Sequence, residues 1–226
     1  MITHSNLHYT IIKYIIDNGY APNTETLATL LKTDNESVEK GLYALQEYHG
    51  VVLHPHQPIV WVLHPFALAP TNFLVKAGEQ CWWGNCAWCS LGIAALLKKD
   101  VTITTRLAGY DEQVVIHIVN GEIQEKNLYV HLSVPLKKAW DNVMYTCSTI
   151  LVFKDEAQVD DWTNKHNIPK GDIQPITTIW ELSKKWYGNH LSPQWEKWTV
   201  EEARNIFLEF NLTHPTWELE ASKERF

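Results

Sequence analysis

Residues 86–99 have the sequence CAWCSLGIAALLKK, which is apolar over most of its length. It lacks the polar face of a surface helix, so it predicts a buried helix over residues 87–99. Cys86 and Cys89 stand three residues apart at its start, about one helical turn, so both sulfurs can face one point. The stretch therefore predicts a buried helix that carries two thiols at its N-terminal end.

On both sides of this helix the sequence predicts one α+β domain over residues 67–226. Residues 78–86 are expected to form an irregular loop rich in aromatic side chains. Alternating β-branched residues predict strands at 101–105, 113–119, 128–134 and 148–153. Capping residues and apolar periodicity predict helices at 156–166, 180–187 and 201–210. Strands in series, with helices at the ends, predict a mainly antiparallel sheet with flanking helices.

Residues 1–66 predict a separate winged-helix-like domain, with three helices followed by a β-hairpin at 51–53 and 59–63. Winged helices often bind DNA, but residues 1–64 carry three lysines against six acidic residues. The would-be recognition helix has Glu36, Glu39 and Glu47. Phosphate contacts need the opposite charge, so the sequence favours a structural or dimerising role.

The composition argues against several classes of function. A formal net charge of −7 over 226 residues disfavours nucleic acid or an anionic membrane as the main partner. No apolar run approaches the roughly 18 residues of a membrane-spanning helix, and the first residues lack a signal-peptide pattern. We therefore expect a cytoplasmic protein with reduced cysteines. Eleven tryptophans are compatible with an aromatic pocket or interface and with core packing.

Three of the four cysteines, Cys81, Cys86 and Cys89, fall within nine residues, and Cys147 opens a predicted strand. Thiolates are natural ligands of soft metals. The spacing of Cys86 and Cys89 is compatible with a redox pair, half of a zinc site or coincidence, and Cys81 with a small buried side chain. A four-cysteine zinc site would show two close pairs, which the isolated Cys147 does not supply. None of the histidines pairs with the cysteines at metal-ligand spacing, so we interpret them as surface or core residues.

Several short segments carry a resemblance to a known family: residues 86–92 (CAWCSLG), 100–104 (DVTIT), 119–124 (VNGEIQ), 145–149 (YTCST) and 161–162 (DW). The first resembles the active-site helix of alkylmercury (organomercurial) lyases, where an Ala-Trp-Cys-Ala-Leu-Asp pattern holds the first catalytic cysteine. From Cys147 to Trp162 the spacing is similar to that of the family without a gap. The acidic N-terminal region also suits the family, so the chain resembles a divergent member over most of its length.

This resemblance implies that Cys89 and Cys147 are the catalytic thiols that bind mercury and cleave the carbon–mercury bond by thiolate-assisted protonolysis. The family has an Asp three positions after the first cysteine, which is thought to help move a proton to the departing carbon, and Gly92 stands here instead. Candidate replacements for that carboxylate are Glu79, Asp141 and Tyr145. The predicted substrate-pocket residues are Trp82, Trp83, Trp88, Tyr145 and Gly92, and the predicted metal ligands are Cys81, Cys86, Cys89 and Cys147.

No cofactor is expected to be required, although the cysteines could hold a soft ion such as Hg, Cu or Zn. The expected partners are a small organometal or hydrophobic substrate and small thiols, and a homodimer is compatible with the sequence. Two alternatives remain open because the Asp is absent. One is a soft-metal-binding or metal-handling protein, and the other is an enzyme of the same scaffold that uses Cys89 on a different substrate. A metal-reading transcription regulator is disfavoured by the acidic N-terminal helices.

Overall fold

The computed structural model describes residues 2–220 and 222–226, and it has the predicted α+β fold with antiparallel sheets. The helices are α1 (His4–Asn18), α2 (Thr24–Leu31), α3 (Asn35–Glu47), α4 (Ala87–Leu97), α5 (Val143–Thr149), α6 (Glu156–His166), α7 (Ile176–Tyr187) and α8 (Val200–Glu209). The strands are β1 (Val52–Leu53), β2 (Val60–Leu63), β3 (Phe66–Ala67), β4 (Phe73–Ala77), β5 (Gln80–Gly84), β6 (Val101–Arg106), β7 (Gln113–Val119), β8 (Glu122–Ile123), β9 (Tyr129–Leu132), β10 (Val152–Phe153) and β11 (Asp172–Pro175). None of the described helices combines the length and the apolar character that crossing a membrane requires.

Two antiparallel sheets organise these strands. The larger has eight strands in the order β1-β2-β3-β5-β4-β6-β7-β8, and the smaller has the order β10-β9-β11. The longest pairing joins β6 to β7, from Val101 opposite Ile118 to Arg106 opposite Gln113. Along β6 the buried residues alternate with half-buried ones, as expected for a strand with one face on the core.

Helix α4 is enclosed because it is apolar on every side. Nine of its eleven residues are buried, and it packs between strands β4 and β5 and helix α7. Two glycines permit these close approaches. A Cβ atom on Gly84 of β5 would lie 2.7 Å from the Cα of Ser90, and one on Gly92 would lie 2.3 Å from the ring of Tyr187. The start of α4 is thereby held where the large sheet and α7 meet.

Elements with strong local signals agree with the sequence prediction. Strand β7 and helix α6 have the predicted bounds, and α8 has the predicted capping box between Thr199 and Glu202. Local signals suffice here because alternation, capping residues and apolar spacing lie within the element itself.

Three predictions were wrong where distant partners determine the structure. Residues 80–84 form strand β5 rather than a loop, because β3 and β4 pair with its two edges. Cys147 lies in helix α5 rather than at the start of a strand, because the Asn142 side chain caps that helix by accepting from the Tyr145 N–H (3.0 Å). Helix α7 begins at Ile176 rather than Trp180, without a side-chain cap.

The N-terminal region has three helices and two short strands in the predicted order. Helices α1, α2 and α3 pack around buried Leu7, Ile11 and Leu42. Strand β2 pairs with β1 on one side and with β3 on the other, so this region continues into the large sheet. The predicted boundary at residue 66 falls at β3, and both the two-domain division and the winged-helix interpretation stay predictions.

Candidate active site

Three cysteine sulfurs converge at the N-terminal end of α4. Cys86 and Cys89 lie there, and Cys147 approaches from α5. His64, in the turn between β2 and β3, places its Nε2 atom 3.6 Å from Cys147 Sγ. The His64 nitrogen and the sulfurs of Cys89 and Cys147 all lie within 4.8 Å of one another. Such a set of one nitrogen and two sulfurs suits a single soft metal ion.

Two hydrogen bonds fix the segments that carry these thiols. Cys86 caps α4, since its sulfur accepts the N–H of Cys89 at 3.3 Å. The next residue, Ala87, donates its N–H to the carbonyl of Ile150 at 3.0 Å. The first N–H groups of a helix need acceptors, so these bonds tie the first turn of α4 to the end of α5, beside Cys147.

The three thiols differ in how readily they ionise. Burial disfavours charge on Cys89, but hydrogen bonds from Cys147 and Cys86, the nearby His64 and the Tyr187 hydroxyl together hold the pKa of Cys89 well below its usual value. Burial, followed by the bonds to its sulfur neighbours, raises the pKa of Cys86. For Cys147 the bond to Cys86 favours the anion, yet the bond to Cys89 and burial outweigh it and raise the pKa. Of the three thiols, Cys89 is therefore the one on which a negative charge is most favourable.

His64 is a neutral acceptor beside the protonated Cys147. Burial lowers the pKa of its imidazole, although the charge on Cys89 acts in the opposite direction. Its Nε2 lies 3.2 Å from the side-chain nitrogen of Asn85, and an amide nitrogen only donates, so Nε2 is the acceptor. The Cys147 thiol faces the same nitrogen. A neutral imidazole has one acceptor lone pair, so Nε2 accepts the proton of Cys147 only when the Asn85 amide releases it.

A mostly aromatic cavity of about 110 Å³ opens beside the sulfurs. Its aromatic and histidine lining consists of His8, His49, His64, Trp88, Trp140, Trp186, Tyr187, His190, Trp195, Trp198 and Phe226. Helix α1 contributes His8, whose ring stacks on Trp195 with 3.6 Å between centroids. The N-terminal and C-terminal parts of the chain thus both form walls of this cavity, which suits a small apolar group held against the thiols.

The alkylmercury lyase family model matches residues 66–188, more than half of the chain. That segment includes α4, α5 and the facing cysteines Cys89 and Cys147. The chain belongs to the alkylmercury lyase family. The resemblance read from the sequence is thereby confirmed.

A solved structure supports the same fold. The mercury-bound form of MerB2 superimposes with a TM-score of 0.67 at 20% sequence identity, covering 84% of this chain and 91% of that one. No curated protein matches the chain.

Tyr187 occupies the space that the alkylmercury lyase carboxylate would need. The sequence resemblance places an Asp of the family at Gly92, and here even a Cβ atom at that position would lie 2.3 Å from the Tyr187 ring. The Tyr187 hydroxyl lies 3.5 Å from Cys89 Sγ, and burial raises the pKa of this phenol well above its usual value. A hydroxyl that contacts the Cys89 sulfur therefore belongs to the ring that fills the space beside Gly92.

No carboxylate in the described lining is free to take the place of that Asp. The cavity is lined by one acidic residue, Glu196, whose carboxylate pairs with Arg225 at 2.6 Å. Glu79, Asp141 and Tyr145, proposed as replacements from the sequence, are exposed and do not line the cavity.

The structure brings together part of the predicted site. Cys86, Cys89, Cys147 and Trp88 all line the cavity. The other predicted residues lie elsewhere: Cys81 is exposed on β5, Trp82 donates to the Ile15 carbonyl at 2.9 Å, Trp83 is half-buried on β5, Tyr145 is exposed, and Gly92 faces the Tyr187 ring.

His64 and Tyr187 were missed because their partners are remote in sequence. His64 meets a cysteine 83 positions away, and Tyr187 meets one 98 positions away. His64 also precedes the segment that the family model matches. The one local signal was the Gly at position 92, since a missing side chain in a buried helix predicts a close neighbour.

We expect Gly92→Ala to destabilise the protein only while Tyr187 is present. In the wild-type background the added methyl group collides with the Tyr187 ring and should lower the free energy of unfolding by about 2 kcal/mol. In a Tyr187→Ala background the space is open. There Gly92→Ala should raise the free energy of unfolding by up to about 1 kcal/mol, because a helix favours Ala over Gly. Urea unfolding of the wild type, the two single variants and the double variant measures this double-mutant cycle. If the effects of the two substitutions were additive, the Tyr187 ring would not be what excludes a side chain at position 92.

The buried His190 predicts acid lability. Burial, then the nearby His64, lowers the pKa of His190 to about 3. In the unfolded chain His190 is protonated near pH 6.5, whereas in the folded protein it is protonated only near pH 3. The stability that depends on neutral His190 is therefore complete above about pH 6.5. It is lost as the pH falls from about 6.5 to about 3. The loss should be about 1.4 kcal/mol per pH unit for this side chain. Urea unfolding between pH 5 and 7 tests this, and His190→Gln should have a shallower slope. A wild-type slope in that variant would refute the assignment.

Proposed function

We propose that the protein cleaves the carbon–mercury bond of small organomercurials by thiolate-assisted protonolysis, with Cys89 and Cys147 as the two thiols. One observation carries this proposal. The sulfurs of Cys89 and Cys147 are 58 positions apart in sequence. Together with the ring nitrogen of His64 they lie within 4.8 Å of one another, beside an aromatic cavity. Membership of the alkylmercury lyase family supports the same chemistry.

In the first step Cys89 captures the mercury. The pKa of this thiol is lowered relative to those of Cys86 and Cys147, which favours Cys89 as the nucleophile. Its sulfur forms a bond to mercury, and the ligand that accompanied the mercury leaves with its electron pair. The hydrogen bond from the Tyr187 hydroxyl holds the Cys89 sulfur in place for this attack.

In the second step the proton of Cys147 reaches carbon. The bond from carbon to mercury breaks, its electron pair takes the proton, and the new thiolate of Cys147 binds mercury. One proton moves and one sulfur–mercury bond replaces one carbon–mercury bond, so no oxidant or reductant is needed. His64 Nε2, at 3.6 Å from Cys147 Sγ, relays the proton that a carboxylate would carry in other family members.

The aromatic walls hold the organic group and exclude water. Trp88 and Trp186 lie side by side on the cavity with 5.3 Å between ring centroids. A low dielectric there strengthens the interaction of mercury with the two sulfurs. The product, mercury held by Cys89 and Cys147, leaves by exchange with small thiols, and no resident cofactor takes part.

The N-terminal region has a structural role in this proposal. His8, His49 and Gly50 line the cavity, so residues 1–66 close the site against the C-terminal helices. The acidic surface of α3 leaves the region poorly suited to a phosphate backbone.

The wild-type protein should release inorganic mercury from methylmercury and phenylmercury in the presence of excess thiol. Cys89→Ser and Cys147→Ser should each lower the rate at least about 100-fold, because a hydroxyl is a poor mercury ligand and a weaker acid. Cys81→Ser is the matched control, since that cysteine is exposed on β5, and it should keep the wild-type rate. A folded wild-type protein that releases no mercury would refute the proposal.

A second candidate function is soft-metal binding by the same residues. The observation that favours it is the ligand set of His64, Cys89 and Cys147, with Cys86 as a third sulfur, and thus a fourth candidate ligand, at the cavity. Protein purified without chelator should then contain stoichiometric Zn or Cu, and Cys89→Ser or Cys147→Ser should lose it, whereas Cys81→Ser should not. A metal-free protein that cleaves organomercurials would exclude this role.

A further inference from the structure

The mouth of the cavity holds a lysine with an unusual environment. Lys197 lines both the cavity and an adjoining cleft. Its ammonium nitrogen lies 5.3 Å from the centroid of the Trp140 ring and 5.8 Å from that of Tyr48. Burial, then the neighbouring Lys223, lowers the pKa of Lys197 to about 8. This cation is therefore partly withdrawn from water but still charged at neutral pH.

The other cations around the mouth have carboxylate partners. Lys137 pairs with Glu218 at 2.9 Å, Lys223 with Glu220 at 3.2 Å, and Arg225 with Glu196 at 2.6 Å. In the described part of the chain, no carboxylate lies within ion-pair distance of the Lys197 ammonium group. Its contacts with aromatic faces replace only part of the lost hydration.

The charge around the mouth is opposite to that of the whole protein. The adjoining cleft is lined by four cations, Lys137, Lys197, Lys223 and Arg225. Three of them are paired with Glu218, Glu220 and Glu196, so one positive charge, that of Lys197, is left without a carboxylate partner. The chain as a whole has a formal net charge of −7. A cation-rich entrance on an acidic protein attracts small anions to that place.

Trp140 connects this mouth to the thiols. Its ring lies edge-on to His64 at 5.6 Å between centroids, and Lys197 faces the same ring. His64 in turn contacts Cys147. A small molecule whose mercury lies between the two sulfurs and which extends along Trp140 therefore has its far end near Lys197.

We propose that Lys197 selects organomercurial complexes that carry a carboxylate, so that the preferred substrates are anionic. The inference rests on the proposed function and names its substrate class. The carboxylate has two sources, the organic group itself or the small thiolate that accompanies mercury. In either case it forms a charge-assisted hydrogen bond with an ammonium group that has no partner of its own. A neutral organomercurial gains nothing from Lys197.

The test compares probes that differ in one charge. For the organic group they are 4-mercuribenzoate and 4-methylphenylmercury, which have similar size. For the accompanying thiolate they are phenylmercury as its mercaptoacetate complex and as its 2-mercaptoethanol complex. The second-order rate of capture is followed by quenching of tryptophan fluorescence, and cleavage is measured separately as release of inorganic mercury. Capture needs no cleavage, so the inference and the proposed function can fail independently.

The wild-type protein should capture the anionic member of at least one pair about tenfold faster, since a charged hydrogen bond is worth about that factor. Lys197→Met should bring that ratio close to one, and the wild-type ratio should fall with added salt. Lys184→Met is the matched control. Lys184 also faces a tryptophan ring, at 5.3 Å from the Trp180 centroid, but it lies outside the cavity and should keep the wild-type ratio.

Each outcome decides the inference. A preference confined to the benzoate pair assigns the carboxylate to the organic group, and one confined to the thiolate pair assigns it to the accompanying thiol. Equal rates for both pairs, or a Lys197→Met variant that keeps the wild-type ratio, would overturn the inference. Selective capture without mercury release would support it while refuting the lyase reaction.

Discussion

The site depends on one backbone contact, the hydrogen bond from the Ala87 N–H to the Ile150 carbonyl. This bond is the point at which the first turn of α4 meets the end of α5. Since Cys86 and Cys89 lie on one side of the contact and Cys147 on the other, a shift of either segment would separate the sulfurs. The enclosed position of α4, between the large sheet and α7, makes such a shift costly because close-packed interiors resist small displacements.

The exchange of a carboxylate for a phenol changes the electrostatics of the cluster. A carboxylate near Cys89 would add a second negative charge in a buried place and would compete with the thiolate for protons. Tyr187 is neutral, so the cluster keeps a single anion while the hydroxyl still stabilises it. In the proposed reaction the proton acceptor is His64, across the cavity on the side of Cys147. The departure from the family pattern is thus accompanied by a rearrangement of which residue holds the proton.

The sequence predicted those parts whose signals are local. The buried helix with two cysteines, the strands β6 and β7 and the capped helix α8 follow from periodicity and capping within a few residues. Cys147 was assigned to a strand because Thr149, Ile150, Leu151 and Val152 are apolar or β-branched, whereas the capping of α5 by Asn142 decides the structure. Strand β5 was not predicted because apolar and polar residues do not alternate along it. Its extended conformation depends on pairing with β3 and β4. Likewise, the residues that neighbour His64 and Tyr187 in sequence contain no pattern that predicts contact with a cysteine.

The cavity is assembled from both ends of the described chain, with His8 on α1 stacked on Trp195 and Phe226 in the opposite wall. A ribosome delivers His8 first and Phe226 more than two hundred residues later. Nascent chains therefore hold their cysteines in an unfinished pocket, without the tryptophan walls that exclude water. Domains fold as units once their residues are available, so the cysteine sulfurs acquire their common environment only after the C-terminal wall of the cavity has been synthesised.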